Sequence, residues 1–247
     1  MSANATGEIE VATPKGALRA YLRVPDGDGP WPGVVVIHDI FGQSEDNRRY
    51  VDWFAAAGYL AVAPDLYSRG VKPLCILATI RAVLARGGRA FEYLEAVRSA
   101  LASRADCTGD VGVIGFCIGG GFALLLATDP RFSASSVNYG MVPEDADEFL
   151  AGACPIVGSF GARDFTLHGA AARLERALER NGVARDVKEY AEAGHAFLNN
   201  HGGVLGWAAA RIGTNFEPAA AADAQKRILS FFDRHLRKST WRSGDSA

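Results

Sequence analysis

Short apolar runs alternate along the chain with longer segments of helical periodicity. A continuous apolar run is typical of a strand buried on both faces of a sheet, whereas apolar residues three or four positions apart are typical of an amphipathic helix. The alternation predicts an α/β fold, with a mostly parallel central sheet and helices on both of its faces. The predicted strands are 33–37, 60–63, 111–116, 134–139, 155–160 and 186–190, and the predicted helices are 46–57, 90–104, 119–127, 168–181 and 221–237.

Three segments lie outside this alternation. Residues 8–12 and 17–24 flank a Pro-Lys-Gly turn and predict an antiparallel hairpin at the edge of the sheet. In 66–88 and 198–217, glycine or proline interrupts the apolar stretches, so we expect long connections of functional importance there.

The length of 247 residues favours a single domain. We expect its core to span about 7–236 and the tail, 239–247, to be frayed.

Composition and charge exclude several classes of function. Lys and Arg number 26 against 28 Asp and Glu, and no run concentrates either sign, so nucleic-acid binding has no electrostatic support. No apolar run approaches the ~18 residues that span a bilayer, and the first seven residues lack the features of a signal peptide. We therefore expect a cytoplasmic protein that binds no membrane. The cysteines show no C-x-x-C pairing and predict neither disulfides nor zinc; they are Cys75, Cys107, Cys117 and Cys154.

The motif Gly-Phe-Cys-Ile-Gly-Gly at 115–120 lies between a predicted strand and a predicted helix. A Gly-x-nucleophile-x-Gly turn holds its central residue in a strained conformation, and its glycines are required because side chains there would collide. Cys117 would then lie near a helix N-terminus, where the helix dipole favours a thiolate. The alternative is a buried structural cysteine in a glycine-rich turn that binds a phosphate group.

A thiol nucleophile needs a base, and the base needs an acid that orients it. Asp164 and His195 each follow a predicted strand, and the order nucleophile, acid, base is that of the α/β-hydrolase fold. We therefore predict a triad of Cys117, Asp164 and His195. Taken singly, the histidine could be structural and the aspartate a turn or cap residue. A metal site at His195 and His201 is not favoured, because six residues of separation fit no ligand spacing.

The first long predicted strand is followed by His-Asp-Ile-Phe-Gly at 38–42. In this fold, the corresponding loop and the residue after the nucleophile each supply one backbone N–H to the oxyanion hole. The oxyanion hole is therefore predicted at Ile40 and Ile118. Asp39 would lie beside the nucleophile, where it could hydrogen-bond a neutral thiol; the alternative is a cap or loop hydrogen bond.

Together these motifs resemble the dienelactone hydrolase family, the carboxymethylenebutenolidases. The resemblance spans roughly 7–236, and the segments that carry it are 39–42, 64–67, 115–120, 164 and 193–197. It implies hydrolysis of an enol lactone or ester through a thiol ester at Cys117, with His195 as base and Asp164 orienting it. No cofactor or metal is implied.

Two positions depart from the family pattern, and one segment is rearranged. Where this chain has Asp39, the family has a glutamate that pairs with the resting thiol and swings away when substrate arrives. Dienelactone-cleaving members carry an arginine four residues after the histidine, where this chain has Asn199, and another in the segment that is rearranged here. Arg81 and Arg86 are the candidates to replace the second arginine. The candidate substrate contacts are Phe41, Tyr67, Arg81, Arg86, Phe197 and Asn199.

The sequence thus predicts a cysteine-dependent hydrolase of small carboxylic esters or lactones. Because Asn199 brings no charge, neutral substrates are expected to be cleaved at least as efficiently as anionic ones. One alternative is a thioesterase or acyltransferase with the same triad. The other is a non-catalytic protein that binds small hydrophobic acids, although the presence of all three triad residues counts against it. The oligomeric state is not determined by the sequence.

Overall fold

The computed structural model describes residues 6–200 and 216–237, which form one eight-stranded sheet flanked by helices. The strands are β1 Gly7–Val11, β2 Leu18–Arg23, β3 Trp31–Ile37, β4 Leu60–Pro64, β5 Cys107–Phe116, β6 Ala134–Asn138, β7 Ile156–Gly161 and β8 Arg185–Tyr190. The helices are α1 Glu45–Ala56, α2 Lys72–Ala85, α3 Arg89–Ala102, α4 Ile118–Leu126, α5 Ala146–Phe149, α6 Ala170–Arg180 and α7 Pro218–Leu236.

The strand order is β1-β2-β4-β3-β5-β6-β7-β8. Strands β1 and β2 form an antiparallel hairpin at one edge, β2 pairs with β4 antiparallel, and the remaining pairs are parallel. The central strands are buried on both faces, which explains why they are continuous apolar runs in the sequence. The predicted α/β fold with its N-terminal hairpin is confirmed.

Helices cover the sheet on both faces and create two apolar cores. On one face α3, α4 and α6 pack against the sheet through side chains such as Leu94, Phe122 and Leu174. On the other face α1 and α7 pack through Phe54 and Phe232, whose rings stack with their centroids 5.7 Å apart. Because β3 to β8 run parallel, their carboxyl ends meet at one edge of the sheet.

The segment 66–88, expected to be an irregular connection, contains helix α2. Pro73 stands in the first turn of this helix, where a missing backbone N–H costs nothing. The helix ends at Arg86, whose φ of 51° is left-handed. Proline and glycine thus bound the helix and do not interrupt it. Helix α5 was also not predicted, because four residues are too short to show a period.

Two of the predicted segments fall largely or wholly outside the described residues. They are most of 198–217, including His201, and the tail 239–247. Among the helices in 6–200 and 216–237, none is both long and apolar enough to cross a membrane.

Candidate active site

Cys117 lies in a strained turn between β5 and α4. Its φ of 55° and ψ of −116° are unusual for a residue with a side chain, and its N–H donates to the Asn138 carbonyl at 3.1 Å. A Cβ at Gly115 would lie 1.9 Å from the Gly119 carbonyl oxygen, and one at Gly119 would lie 2.6 Å from the His38 carbonyl oxygen. Only glycine fits at both flanking positions, as the motif requires.

Asp164 and His195 lie in the loops after β7 and β8, at the same edge of the sheet as Cys117. The Asp164 Oδ2 atom is 2.5 Å from His195 Nδ1. The other carboxylate oxygen accepts hydrogen bonds from the Thr166 N–H at 2.9 Å and from its hydroxyl at 2.6 Å. These contacts fix the carboxylate, whose side chain is almost fully buried, and the carboxylate in turn orients the imidazole.

The hydrogen bonds of His195 shift its proton equilibrium. Burial alone lowers the pKa of this imidazole, but hydrogen bonds and charge from Asp164 and Cys117 outweigh it and raise the pKa to about 10. Burial raises the pKa of Asp164, whereas its hydrogen bonds to His195 and Thr166 lower that pKa by more. The contact with the Asp164 carboxylate therefore favours the imidazolium form of His195.

Ile40 and Ile118 line the same cavity as Cys117 and His195. Ile118 is the first residue of α4, so its backbone N–H has no partner within the helix. Both residues predicted for the oxyanion hole thus line the cavity that contains Cys117.

The loop that contains Asp39 is held by its own hydrogen bonds. Asp39 is buried, and its Oδ1 atom accepts from the Phe41 N–H at 2.8 Å. Its backbone carbonyl lies 2.6 Å from His38 Nδ1, while His38 Nε2 lies 3.2 Å from the Leu66 nitrogen. Burial lowers the pKa of His38, so the ring is neutral, donates through Nδ1 and accepts through Nε2. His38 therefore ties this loop to the segment after β4.

The cavity at Cys117 has a volume of about 250 Å³ and an almost wholly apolar wall. Its lining residues are Ile40, Ile80, Val83, Leu84, Cys117, Ile118, Gly121, Tyr139, Met141, Leu167 and His195. The contribution of α2 to this wall could not be predicted from the sequence. No local motif marks it, because it depends on the packing of α2 over α4, where a Cβ at Gly121 would lie 3.1 Å from Val83 Cγ1.

The two arginines considered as substrate contacts are not in this cavity. Arg81 lines a separate cavity of about 360 Å³ that also borders the start of α3. Arg86 forms an ion pair with Asp145 at 2.5 Å, and its guanidinium lies over the Phe149 ring. Neither arginine is among the described residues that line the cavity at Cys117.

Asn199 is buried in a polar network behind the cavity wall. Its side chain accepts a hydrogen bond from the Tyr139 hydroxyl and donates one to Asp46. The Tyr139 ring packs edge-on against His195, with centroids 5.3 Å apart. Asn199 therefore supports Tyr139, which packs against His195, and Asn199 itself is not among the described residues that line the cavity.

The other three candidate substrate contacts also lie outside the cavity wall. Phe197 is fully buried and packs against Tyr139 and Tyr190, whereas Phe41 is partly exposed. Tyr67 is buried edge-on to His38, and burial is the main cause that raises the pKa of its hydroxyl. In the part of the chain that the structure describes, this hydroxyl has no hydrogen-bond partner.

No metal-binding group of three or more His, Cys, Asp or Glu side chains occurs within the described residues.

Comparison with known proteins gives the same family as the sequence motifs. The chain is 29% identical to a protein of Methylorubrum extorquens named "Putative carboxymethylenebutenolidase", with 93% of this chain and 81% of that protein covered. It is 27% identical to the carboxymethylenebutenolidase of Rhodococcus opacus, with 87% and 86% covered.

A crystal structure from Klebsiella pneumoniae, titled as a "Putative Dienelactone Hydrolase", superposes with a TM-score of 0.75 at 25% identity. The superposition covers 92% of this chain and 98% of that one. The profile of the dienelactone hydrolase family matches residues 18–236, which is most of the chain. The chain therefore belongs to the dienelactone hydrolase family and has the α/β-hydrolase fold.

Proposed function

We propose that this protein hydrolyses carboxylic esters or lactones through a thiol ester at Cys117. The observation that carries the proposal is the arrangement of three side chains at one edge of the sheet. Cys117 stands in a strained turn at the start of α4 and lines one cavity together with His195, and His195 is bound to the buried Asp164. A nucleophile, a base and an orienting acid in this relation are the elements of acyl transfer.

In the first half of the reaction, His195 accepts the proton of the Cys117 thiol, and the resulting thiolate attacks the substrate carbonyl and forms a C–S bond. The carbonyl electron pair moves to oxygen, and the backbone N–H groups of Ile40 and Ile118 stabilise that oxyanion. As the intermediate collapses, the C–O bond breaks and His195 donates its proton to the leaving oxygen. In a lactone the leaving oxygen remains part of the acyl group.

In the second half, water attacks the thiol ester while His195 accepts a proton from it. The second tetrahedral intermediate expels the Cys117 thiolate and releases the carboxylic acid. Asp164 stabilises the imidazolium in both halves. Relatives named carboxymethylenebutenolidase support a lactone or ester as the bond that is cleaved. The cytoplasmic location and the single domain remain predictions from the sequence.

Trapping the acyl-enzyme tests the proposal directly. After acid quenching of a reaction with an aryl ester, mass spectrometry should find the acyl group on the peptide that contains Cys117. A panel of enol lactones, aryl esters and thioesters identifies the substrates that turn over. Turnover without any adduct at Cys117 would disprove the mechanism, and saturable binding without turnover would support a binding protein. Adduct release only by an added thiol or alcohol would indicate an acyltransferase.

We also propose that Asp39 stabilises the resting thiol of Cys117. Asp39 is buried, and the next residue in the chain, Ile40, lines the cavity together with Cys117, so the carboxylate belongs to the loop that borders the thiol. Asp39→Asn keeps an oxygen that can accept the Phe41 N–H but removes the charge. We expect this variant to fold and to show an altered rate of Cys117 alkylation between about pH 5 and pH 9. An unchanged profile would limit Asp39 to holding its loop.

A further inference from the structure

The preferred substrate follows from the wall of the cavity. We infer that this protein acts on neutral esters with a short apolar acyl group and selects against acyl groups that end in a carboxylate. The inference rests on the proposed hydrolase function and adds the substrate class to it.

The walls beside Cys117 offer an acyl group almost no polar contact. Helix α2 contributes Ile80, Val83 and Leu84, and Met141 and Leu167 also line the cavity. Among its described lining residues there is no Lys, Arg, Asp or Glu. The one group of the wall that carries a positive charge is the His195 imidazolium, which in the proposed mechanism serves the reacting carbonyl. A carboxylate at the far end of an acyl chain therefore loses hydration without meeting a Lys or Arg side chain, whereas an alkyl or aryl group is stabilised by its transfer out of water.

The size of the cavity limits the acyl group. Pockets that enclose drug-sized ligands have volumes of roughly 300–1,000 Å³, and the cavity at Cys117, at about 250 Å³, lies below that range. A short aliphatic chain or a single ring therefore fits the cavity better than a larger acyl group.

The register of α2 keeps its positive charges out of the cavity. Ile80, Val83 and Leu84 are spaced i, i+3 and i+4, so they share one face of the helix. Arg81 is rotated by about 100° from Ile80 and lines the other cavity. Arg86 follows the helix and is paired with Asp145. Both arginines thus lie off the apolar face of α2 that lines the cavity at Cys117.

Leu84 lies at the mouth of the cavity. It is 64% exposed and also lines the cavity, so its side chain is both in solvent and at the entrance. Leu74 lies on the same helix with a matching exposure of 65%, but it does not line this cavity. The two leucines therefore form a matched pair for introducing a positive charge.

The first measurement compares p-nitrophenyl hexanoate with mono-p-nitrophenyl adipate. These esters share their leaving group and the length of their acyl chain, and differ in a terminal methyl or carboxylate. We expect kcat/KM for the hexanoate to be higher by at least tenfold and by about a hundredfold if the carboxylate is fully buried. From acetate to hexanoate, kcat/KM should rise by up to roughly three- to fourfold per methylene buried.

The second measurement places a cation at the mouth of the cavity. Leu84→Arg should shift the ratio of kcat/KM towards the adipate by about tenfold or more, because the guanidinium can pair with its carboxylate. Leu74→Arg carries the same charge on the same helix and should leave the ratio within about twofold of the wild type. An equal shift in both variants would mean that general surface charge controls the preference, which contradicts the inference.

The outcomes separate the substrate class from the mechanism. Cys117→Ala should lose hydrolysis of both esters. If it does and the wild-type enzyme prefers the adipate, the substrate inference is overturned and the mechanism stands. If Cys117→Ala still hydrolyses both esters, the proposed mechanism itself is wrong. If Leu84→Arg fails to fold, the wild-type enzyme alone decides the substrate class, through the ratio of its kcat/KM for the hexanoate to its kcat/KM for the adipate.

Discussion

Replacing Cys117 with alanine is expected to lower kcat/KM for ester hydrolysis by about 10,000-fold or more. The sulfur is the atom that forms the covalent intermediate, and no neighbouring side chain can take its place in the strained turn at the start of α4. Steady-state kinetics with an aryl ester measure the loss. Cys75→Ala is the control, because Cys75 lies outside the cavity at Cys117, and its activity should stay within about twofold of the wild type.

Thiol labelling provides an independent check on this assignment. Iodoacetamide reacts with thiolates, and burial raises the pKa of Cys107 and raises that of Cys154 to about 12. We therefore expect mass mapping to find the label on Cys117 before these two cysteines. Earlier labelling of the other cysteines, together with full activity in Cys117→Ala, would contradict the assignment.

Asp164→Asn is expected to reduce kcat by roughly 100- to 10,000-fold. The amide keeps the shape of the side chain but removes the charge that stabilises the His195 imidazolium. The pKa of His195, about 10 in the wild type, should fall in this variant, as NMR titration of the imidazole can show. Asp223→Asn, which breaks a surface pair with Lys188, is the control and should leave kcat unchanged. A kcat within about threefold of the wild type in Asp164→Asn would rule out the orienting role.

The same pair makes the stability of the protein depend on pH. Folding raises the pKa of His195 above its ordinary value of 6.5. The contribution of His195 to the free energy of unfolding is therefore complete below pH 6.5 and is lost as pH rises through about 10. The pKa of Asp164 is lowered below 3.8, so its contribution is present above that pH and is lost under more acidic conditions. The difference in unfolding free energy between the wild type and Asp164→Asn should therefore be largest between about pH 4 and 6.5.

The strands and the strained turn could be predicted from the sequence because their causes are local. A strand buried on both faces must be apolar along its whole length, and β3, β4 and β7 accordingly appear as continuous apolar runs. The turn at Cys117 needs glycine at Gly115 and Gly119, because any Cβ there would overlap backbone atoms.

Chain order alone brought the predicted triad residues together. Parallel strands end at the same edge of a sheet, so residues that follow β5, β7 and β8 must meet there. The sequence therefore placed Cys117, Asp164 and His195 at one edge, but it contains no information on the 2.5 Å contact between the last two. That distance, and the proton equilibrium it controls, depend on how the loops pack.

The tertiary structure alone decided what surrounds the thiol. The resemblance to the family implies an arginine at the position of Asn199, and the Asn199 amide is buried against Tyr139 and Asp46, which come from distant parts of the chain. Arg81 is close in sequence to Ile80 and Leu84, but the orientation of α2 over α4 turns the arginine away and the apolar side chains inward. Local sequence determined the strands and the nucleophile turn because backbone sterics act over a few residues. The substrate cavity was decided by packing between elements far apart in sequence, which no local pattern records.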